Sequence, residues 1–389
     1  MNAAHRIALD ARRLAGYRRG IGLYVQNLVR CLPKAAPEAE FLLLVDRPVP
    51  SELVPAGCRQ IVVGWRPSAD SQSVGQFGAQ FNSVYWMNVL VPSVLKRERA
   101  DLFHGTNVAV PLLGRSRSVA TIHDLVSMRV PGTYTAFYER YRKLSVPVAA
   151  RHASHLVAVS ESTKRDVVEL IGIRPEKVTV VHHGVDASFA PVVDPVLLDR
   201  VRRQLSLPQR FIVHVGAVER QKRLEPLMHA AAEILKKGLI DAVVLAGEEG
   251  YGAEAVRSLV AELGIAERVR FLGYVSQEFI PALYSLARCA VYPSWYEGFG
   301  MPVLEAMACG TPIVASNTSS LPEVAGDAAL LISPGDDGAL ARVLERLLTD
   351  DHLRNDLARR GIERARQFSW ETCASRHADV YRRVLRDEQ

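Results

Sequence analysis

The chain has 389 residues and a net charge of +6, with 48% hydrophobic and 23% charged residues. That is room for two or three globular domains, and it excludes a disordered or low-complexity protein. Five scattered cysteines with no C-x-x-C pair argue against disulfides and zinc, and no apolar run reaches the ~18 residues of a membrane span.

The first residues, Met1 to Arg6, lead into a mixed-charge segment with no apolar core of signal-peptide length. A cytoplasmic location is expected, soluble or peripheral at the inner face of a membrane. Residues 6–10, Arg-Ile-Ala-Leu-Asp, read as a first buried strand. A basic stretch from Arg12 to Arg19 leads to Gly20-Ile21-Gly22. Leu23, Tyr24, Leu28 and Cys31 then recur at helical spacing, and Pro33 is expected to close that helix. The Gly20-x-Gly22 turn could bring backbone N–H groups to a phosphate. Val25 stands where a dinucleotide fingerprint needs its third glycine, so a plain tight turn explains the pair as well.

Strands are expected at 41–45 and 60–63, a loop at 67–82 and a helix at 85–95. Strands at 101–104 and 118–122 end in polar residues. The second runs into His123-Asp124, and a His at the carboxyl end of a strand sits where open α/β sheets bind ligands. A structural imidazole is the competing reading there, and the favoured one for His104. Residues 131–151 read as a basic, aromatic helix, with Tyr134, Phe137, Tyr138 and Tyr141 set among Arg140, Arg142 and Lys143. Strands at 156–159 and 178–181 flank a helix capped by Ser160. His182-His183 invites a metal, but no neighbouring residues complete a ligand set.

Residues 190–209, with three prolines, read as a linker with a helix. A new sheet opens at 211–215 and continues at 242–247 and 269–273. After its first strand come Arg220, Lys222 and Arg223. Three cations in four residues are usually a solvated turn, but between a strand and a helix they could also meet a diphosphate. Helices are expected at 338–348, 353–368 and 374–385.

Before the last helices lies the stretch with most chemistry, Tyr296-Glu297-Gly298-Phe299-Gly300-Met301-Pro302-Val303-Leu304-Glu305-Ala306-Met307-Ala308-Cys309-Gly310. Apolar strands flank it at 290–294 and 313–315. Pro302 suits the start of a helix and Gly310 the position just past its end. Strand, glycine turn, helix and strand make a βαβ unit of a parallel sheet. Gly298 to Met301 lead into a helix N-terminus, whose open N–H groups attract phosphate. Glu297 before the helix and Glu305 inside it can accept hydrogen bonds from sugar or ribose hydroxyls.

Glu297 and Glu305, eight apart, form an E-x7-E pattern, and with Ser319-Ser320-Leu321-Pro322-Glu323-Val324 beyond it the chain resembles the retaining glycosyltransferases of family 4. The resemblance spans nearly the whole chain. It implies an α/β GT-B fold, two Rossmann-like doubly wound parallel-sheet domains facing a central cleft. Residues 1–190 would be the acceptor-binding domain, 191–209 the linker and 210–368 the sugar-nucleotide-binding domain. Residues 369–389 would form a C-terminal helix crossing back. In the family the first Glu lies by the donor sugar and the second holds the ribose. Carried over residue by residue, His123, Lys222 and Glu297 are the implied catalytic residues. Gly22, Arg220, Lys222, Gly273, Tyr274, Val275, Gly298, Phe299, Gly300, Met301 and Glu305 are the implied donor-binding residues. Family members often have an Arg where this chain has Ala217, and Arg220 is the nearest substitute.

The implied reaction moves a hexose from a sugar nucleotide to a glycan or lipid-linked glycan, with retention and no cofactor. Mannose from GDP-mannose is the first choice of donor, because the relatives with the Ser-Ser-Leu-Pro-Glu-Val stretch are mostly bacterial polysaccharide and O-antigen mannosyltransferases. No Asp-x-Asp occurs in the chain, so metal independence is expected. A sugar-nucleotide epimerase or a non-catalytic sugar-nucleotide sensor on the same scaffold are the alternatives. Residues 1–190 carry 24 Lys and Arg against 15 Asp and Glu, and the remainder 24 against 27. A basic half can face an anionic membrane or simply water; no nucleic-acid motif is present, and nucleic acid is not expected as a partner.

Overall fold

The computed structural model describes residues 5–15, 20–64, 82–114 and 116–386. Arg18, Arg19 and nearly all of the loop expected at 67–82 lie outside the described residues.

Two parallel sheets form. The first has seven strands: β1 (His5–Asp10), β2 (Ala39–Val45), β3 (Cys58–Val62), β4 (Leu102–Gly105), β5 (Arg117–Ile122), β6 (His155–Ala158) and β7 (Val178–Val180). Their order is β3-β2-β1-β4-β5-β6-β7. The register sets Ile7 beside Phe41 on one side and Leu102 on the other. The second sheet has six: β8 (Phe211–Val215), β9 (Ala242–Ala246), β10 (Val269–Gly273), β11 (Cys289–Tyr292), β12 (Ile313–Ser316) and β13 (Ala329–Ile332), in the order β10-β9-β8-β11-β12-β13. Central strands such as Leu156–Ala158 and Cys289–Tyr292 are buried along their whole length. Burial on both faces is why they read as unbroken apolar runs and not as alternating ones. Strand order reverses between β1 and β4 in the first sheet, and between β8 and β11 in the second. These are the switch points at which α/β sheets hold ligands.

By its internal contacts the chain divides into two compact units, Met1–Leu125 with Arg140–Gly184 and Ser369–Gln389, and Val126–Glu139 with Val185–Phe368. The C-terminal helix Trp370–Arg386 therefore packs with the first unit. Within that unit Gly184 lies hard against it: a Cβ on Gly184 would stand 2.2 Å from the Trp370 amide nitrogen. Within the second, the Val185 N–H donates to the Phe368 carbonyl at 3.2 Å. Residues 195–204, inside the expected linker, are helical.

Three local expectations are corrected. Pro33 does not close the first helix, which runs Ile21–Ala35. A proline leaves the carbonyl four residues back without its N–H partner; here that carbonyl is Val29, and the Cys58 thiol meets it, Sγ to O at 3.9 Å. Residues 131–151 are not one helix. A short helix Val126–Arg129 and a loop precede the helix Ala136–His152, and the loop is closed by the Thr133 hydroxyl donating to the Val130 carbonyl and by Glu139 accepting from the Tyr134 N–H at 3.2 Å. Finally, β13 was not expected. Its four residues are too few to declare a period.

Candidate active site

Lys222 and Glu297 stand on opposite sides of the switch point of the second sheet. Lys222 ends a 3-10 turn, Arg220–Lys222, on the loop leaving β8. That loop is pinned from beneath, because Gly247 on the neighbouring loop passes so close that a Cβ there would lie 2.0 Å from the Gly216 carbonyl oxygen. Glu297 lies on the loop leaving β11. The two are brought together: Lys222 Nζ is 2.7 and 2.9 Å from the two carboxylate oxygens, with the side chains only 13% and 14% exposed. Ser294 donates a third hydrogen bond to Glu297, Oγ to Oε1 at 2.7 Å. The Glu297 backbone is clamped at both ends. Its N–H donates to Ser319 Oγ and its carbonyl accepts from Ser320 Oγ, each at 2.8 Å. Sequence reasoning noticed the Ser319-Ser320 stretch but not this role.

Beyond Glu297 the glycine turn enters the helix Met301–Ala308. Gly300 takes φ 95°, a conformation that glycine adopts without strain, and accepts from the Val303 and Leu304 N–H groups at 3.0 and 3.2 Å. The Phe299 side chain is turned inward, its ring centroid 6.0 Å from that of Phe368. Only its backbone is thus left for a ligand. Gly310 follows the helix with φ 73°. Glu305, in the second turn, is 8% exposed. Burial and the nearby charge of Asp186 push its carboxyl up to about 8. That favours the protonated carboxyl at neutral pH. Hydroxyl donors beside it would favour the ionised form.

Arg220, on the same turn, meets different neighbours from Lys222. Its guanidinium lies against Gly132, where a Cβ would be 3.5 Å from Nη1, and its Cβ lies against Gly252. Gly273, φ 64°, ends β10 and bridges to Gly247; after it Tyr274 is exposed and Val275 buried. Among the described residues no group of three His, Cys, Asp or Glu side chains could hold a metal ion.

Gly22 and His123 belong to the first unit. Gly22 lies in the first turn of the helix Ile21–Ala35, behind Gly20 at φ 46°. His123 follows β5. Its Nε2 is 2.8 Å from the Thr106 carbonyl, so the proton sits on Nε2 and Nδ1 keeps the lone pair. Tyr24 packs edge-on against the ring at 4.8 Å and His183 lies 5.6 Å away. Burial holds the imidazole below its ordinary range and hence neutral.

Behind His123 runs a buried hydrogen-bond chain that the sequence did not announce. His377 Nδ1–H donates to the Cys373 carbonyl at 2.8 Å, leaving Nε2 to accept from the Tyr24 hydroxyl at 3.0 Å. Thr121 donates to Tyr24 at 3.0 Å, His104 Nε2–H donates to Thr121 at 2.8 Å, and Tyr381 donates to His104 Nδ1 at 2.7 Å. Every donor points one way, and burial keeps both imidazoles neutral, His377 falling to about 4. His104 is structural, as expected.

Known proteins resemble this chain over the same regions. The family model described as Glycosyltransferase Family 4 matches residues 18–189, and that described as Glycosyl transferases group 1 matches residues 199–364. O-antigen chain mannosyltransferase B of Escherichia coli is 32% identical over 283 residues, 72% of this chain and 74% of its own. A D-inositol 3-phosphate glycosyltransferase of Corynebacterium aurimucosum is 27% identical over 93% of this chain and 90% of its own. In fold, sucrose-phosphate synthase from Thermosynechococcus elongatus superposes with a TM-score of 0.79 at 24% identity, over 98% of this chain and 99% of its own. This chain belongs to the family 4 glycosyltransferases and has their GT-B fold, two parallel-sheet α/β domains.

Proposed function

We propose that the protein is a retaining hexosyltransferase, moving mannose from GDP-mannose to a glycan or lipid-linked glycan without a metal ion. The observation that carries the reading is the Lys222–Glu297 pair at the switch point of the second sheet, next to the glycine turn that enters the helix Met301–Ala308. Transfer from a sugar nucleotide needs negative charge stabilised on the departing diphosphate. Lys222 supplies a fixed cation for it, and the backbone amides of Gly298 to Met301 supply donors. Gly22 lends a further backbone donor, and Arg220 remains the candidate for a second cation. Gly273, Tyr274 and Val275 would meet the nucleobase, and Glu305 the ribose.

A carboxylate already accepting from Lys222 and Ser294 is poorly placed to attack a sugar carbon. That supports same-face transfer, with a phosphate oxygen taking the acceptor proton, over a double displacement through Glu297. His123, neutral with a lone pair on Nδ1, is suited to accept a hydrogen bond from a sugar hydroxyl. The absence of an Asp-x-Asp supports metal independence, and the mannosyltransferase relative supports mannose.

The test is incubation with labelled GDP-mannose, UDP-glucose, dTDP-glucose and ADP-glucose in EDTA. Slow release of mannose from GDP-mannose, with product of retained configuration when a glycan is added, is the expected result. Turnover of UDP-glucose alone would overturn the mannose assignment. Activity that disappears in EDTA and returns with manganese would overturn metal independence. A glycosyl adduct trapped on Glu297 would overturn same-face transfer.

The basic, aromatic segment identified in the sequence favours contact with an anionic membrane at the cytoplasmic face. On the helix Ala136–His152 the outward residues are Phe137, Leu144 and Val148, flanked by exposed Arg140, Lys143 and Arg151. Tyr138 and Tyr141, singled out in the sequence, are only half-exposed. No helix among the described residues is long and apolar enough to cross a membrane.

A further inference from the structure

Three consecutive hydroxyl side chains, Thr318, Ser319 and Ser320, all engage the segment that carries Glu297. Thr318 Oγ1 donates to the Ser294 carbonyl at 3.3 Å. Ser319 Oγ accepts from the Glu297 N–H and Ser320 Oγ donates to the Glu297 carbonyl, each at 2.8 Å. Ser294, wholly buried, reaches the carboxylate itself through its own hydroxyl. The N–H and the carbonyl of one residue lie in the two rigid peptide planes that flank its Cα. Holding both fixes φ and ψ, and with them the direction of the Cα–Cβ bond. The chain that follows cannot supply this, because Gly298 and Gly300 leave the backbone permissive.

Serine is not the residue that the backbone at 319 asks for. The Leu321 N–H donates to the Thr318 carbonyl at 3.2 Å, closing a turn in which Ser319 has φ 51° and Ser320 has φ −84° and ψ −11°. That is the II′ pattern, whose first central position suits glycine. The turn accounts for the left-handed backbone but not for a side chain there. What serine adds over glycine is one hydroxyl, and that hydroxyl meets the Glu297 N–H. We propose that Ser319, together with Ser320, is a positioning residue of the transfer reaction: the two hydroxyls aim the Glu297 carboxylate, and through it the Lys222 ammonium, at the donor. This rests on the reading of Lys222 and Glu297 as the catalytic pair.

The test is Ser319→Gly, which keeps the turn and deletes the hydroxyl. The substrate is whichever of GDP-mannose, UDP-glucose, dTDP-glucose and ADP-glucose the wild type turns over. With it kcat should fall about tenfold or more, the scale on which a misplaced group loses rate, while donor KM stays within about twofold. Tm should stay near that of the wild type, because relief of the backbone offsets the lost hydrogen bond. Ser319→Asn should recover part of kcat, since asparagine tolerates the left-handed region and its Oδ1 can accept from the Glu297 N–H. A wild-type kcat in Ser319→Gly, or a fall in kcat matched by a large fall in Tm, would overturn the proposal. A second arm needs no turnover: by hydrogen exchange read in a mass spectrometer, the peptide spanning residues 296–300 should exchange faster in Ser319→Gly than in the wild type. Unchanged exchange would show that Ser319 does not hold Glu297, and would defeat the proposal even if transfer stands. Faster exchange in a protein that turns over no sugar nucleotide would defeat the transferase reading and leave the clamp.

Discussion

Lys222 and Glu305 behave oppositely as single residues, because Lys222 is paired with a counter-charge whereas burial and Asp186 disfavour charge on Glu305. Lys222 is held by Glu297 at 2.7 Å, ready to meet charge that develops only as the diphosphate departs. Lys222→Ala should lower kcat about 100-fold or more with a smaller change in donor KM; steady-state kinetics would check it, and an unchanged kcat would remove Lys222 from the chemistry. Burial and the nearby charge of Asp186 disfavour the ionised form of Glu305 and push its carboxyl up to about 8. If ribose hydroxyls donate to the carboxylate, binding below pH 8 must expel a proton. Donor affinity should then rise from pH 6 to 8 and level off above, and calorimetry in buffers of different ionisation enthalpy should show that proton released. The sign for stability is reversed. The folded protein holds a proton that the unfolded chain loses near 4.5, so this contribution to stability fades as pH rises toward 8. Glu305→Gln should raise the ligand-free Tm at pH 8 more than at pH 5, and should abolish the pH dependence of donor binding. A Glu305→Gln variant with wild-type donor affinity at pH 8 would cancel the ribose assignment.

Elements were legible where the pattern was local. The runs 211–215 and 269–273 coincide with β8 and β10, and the glycine-bounded helix at 301–308 lies where Pro302 and Gly310 place it. What escaped was made by packing between distant segments. The sequence marks Glu305 as a donor-binding residue but not as a buried one, because it takes the helix Asp351–Ala365 to cover the helix Met301–Ala308, with Gly361 against Met307. Of Tyr24, His104, Thr121, His377 and Tyr381 only the last two, four apart on one helix, share a spacing in sequence, yet the return of that helix lines all five up. That return depends on Gly184. Gly184→Ala would push a methyl group into the Trp370 backbone, a contact no side-chain motion can relieve. It should cost several kcal/mol, as overpacking against backbone does. Gly361→Ala is the control: its Cβ would meet Met307 at an ordinary 3.4 Å, and exchange of a helical glycine should be neutral or favourable by up to about 1 kcal/mol. Equal denaturation midpoints for the two variants would contradict this account.

For the molecule as a whole, the separation of charge between the halves bears on where it works. Its first 190 residues hold the positive excess, and the exposed Phe137, Leu144 and Val148 supply an apolar strip beside three cations. The protein should sediment with anionic liposomes at low salt and be released as salt shortens the Debye length toward ~3 Å at 1 M. Leu144→Glu should weaken this without changing Tm. Equal recovery with neutral and anionic vesicles would leave the strip as a solvated face. The packing of Trp370–Arg386 into the first unit also has a consequence for synthesis. The ribosome delivers Gly184 and then Val185–Phe368, the bulk of the second unit, before Trp370 emerges. At 5–20 residues per second that interval is roughly 10–40 s. Throughout it the nascent first unit has its strands but not the helix that packs over Tyr24 and His104, so the second unit is free to finish first although most of it is made later. Growing chains of this protein should therefore need chaperone cover on their leading half, and premature stop codons between Ser369 and His377, which remove most of the helix Trp370–Arg386, should be read by the cell as misfolded amino-terminal halves attached to sound carboxyl-terminal ones.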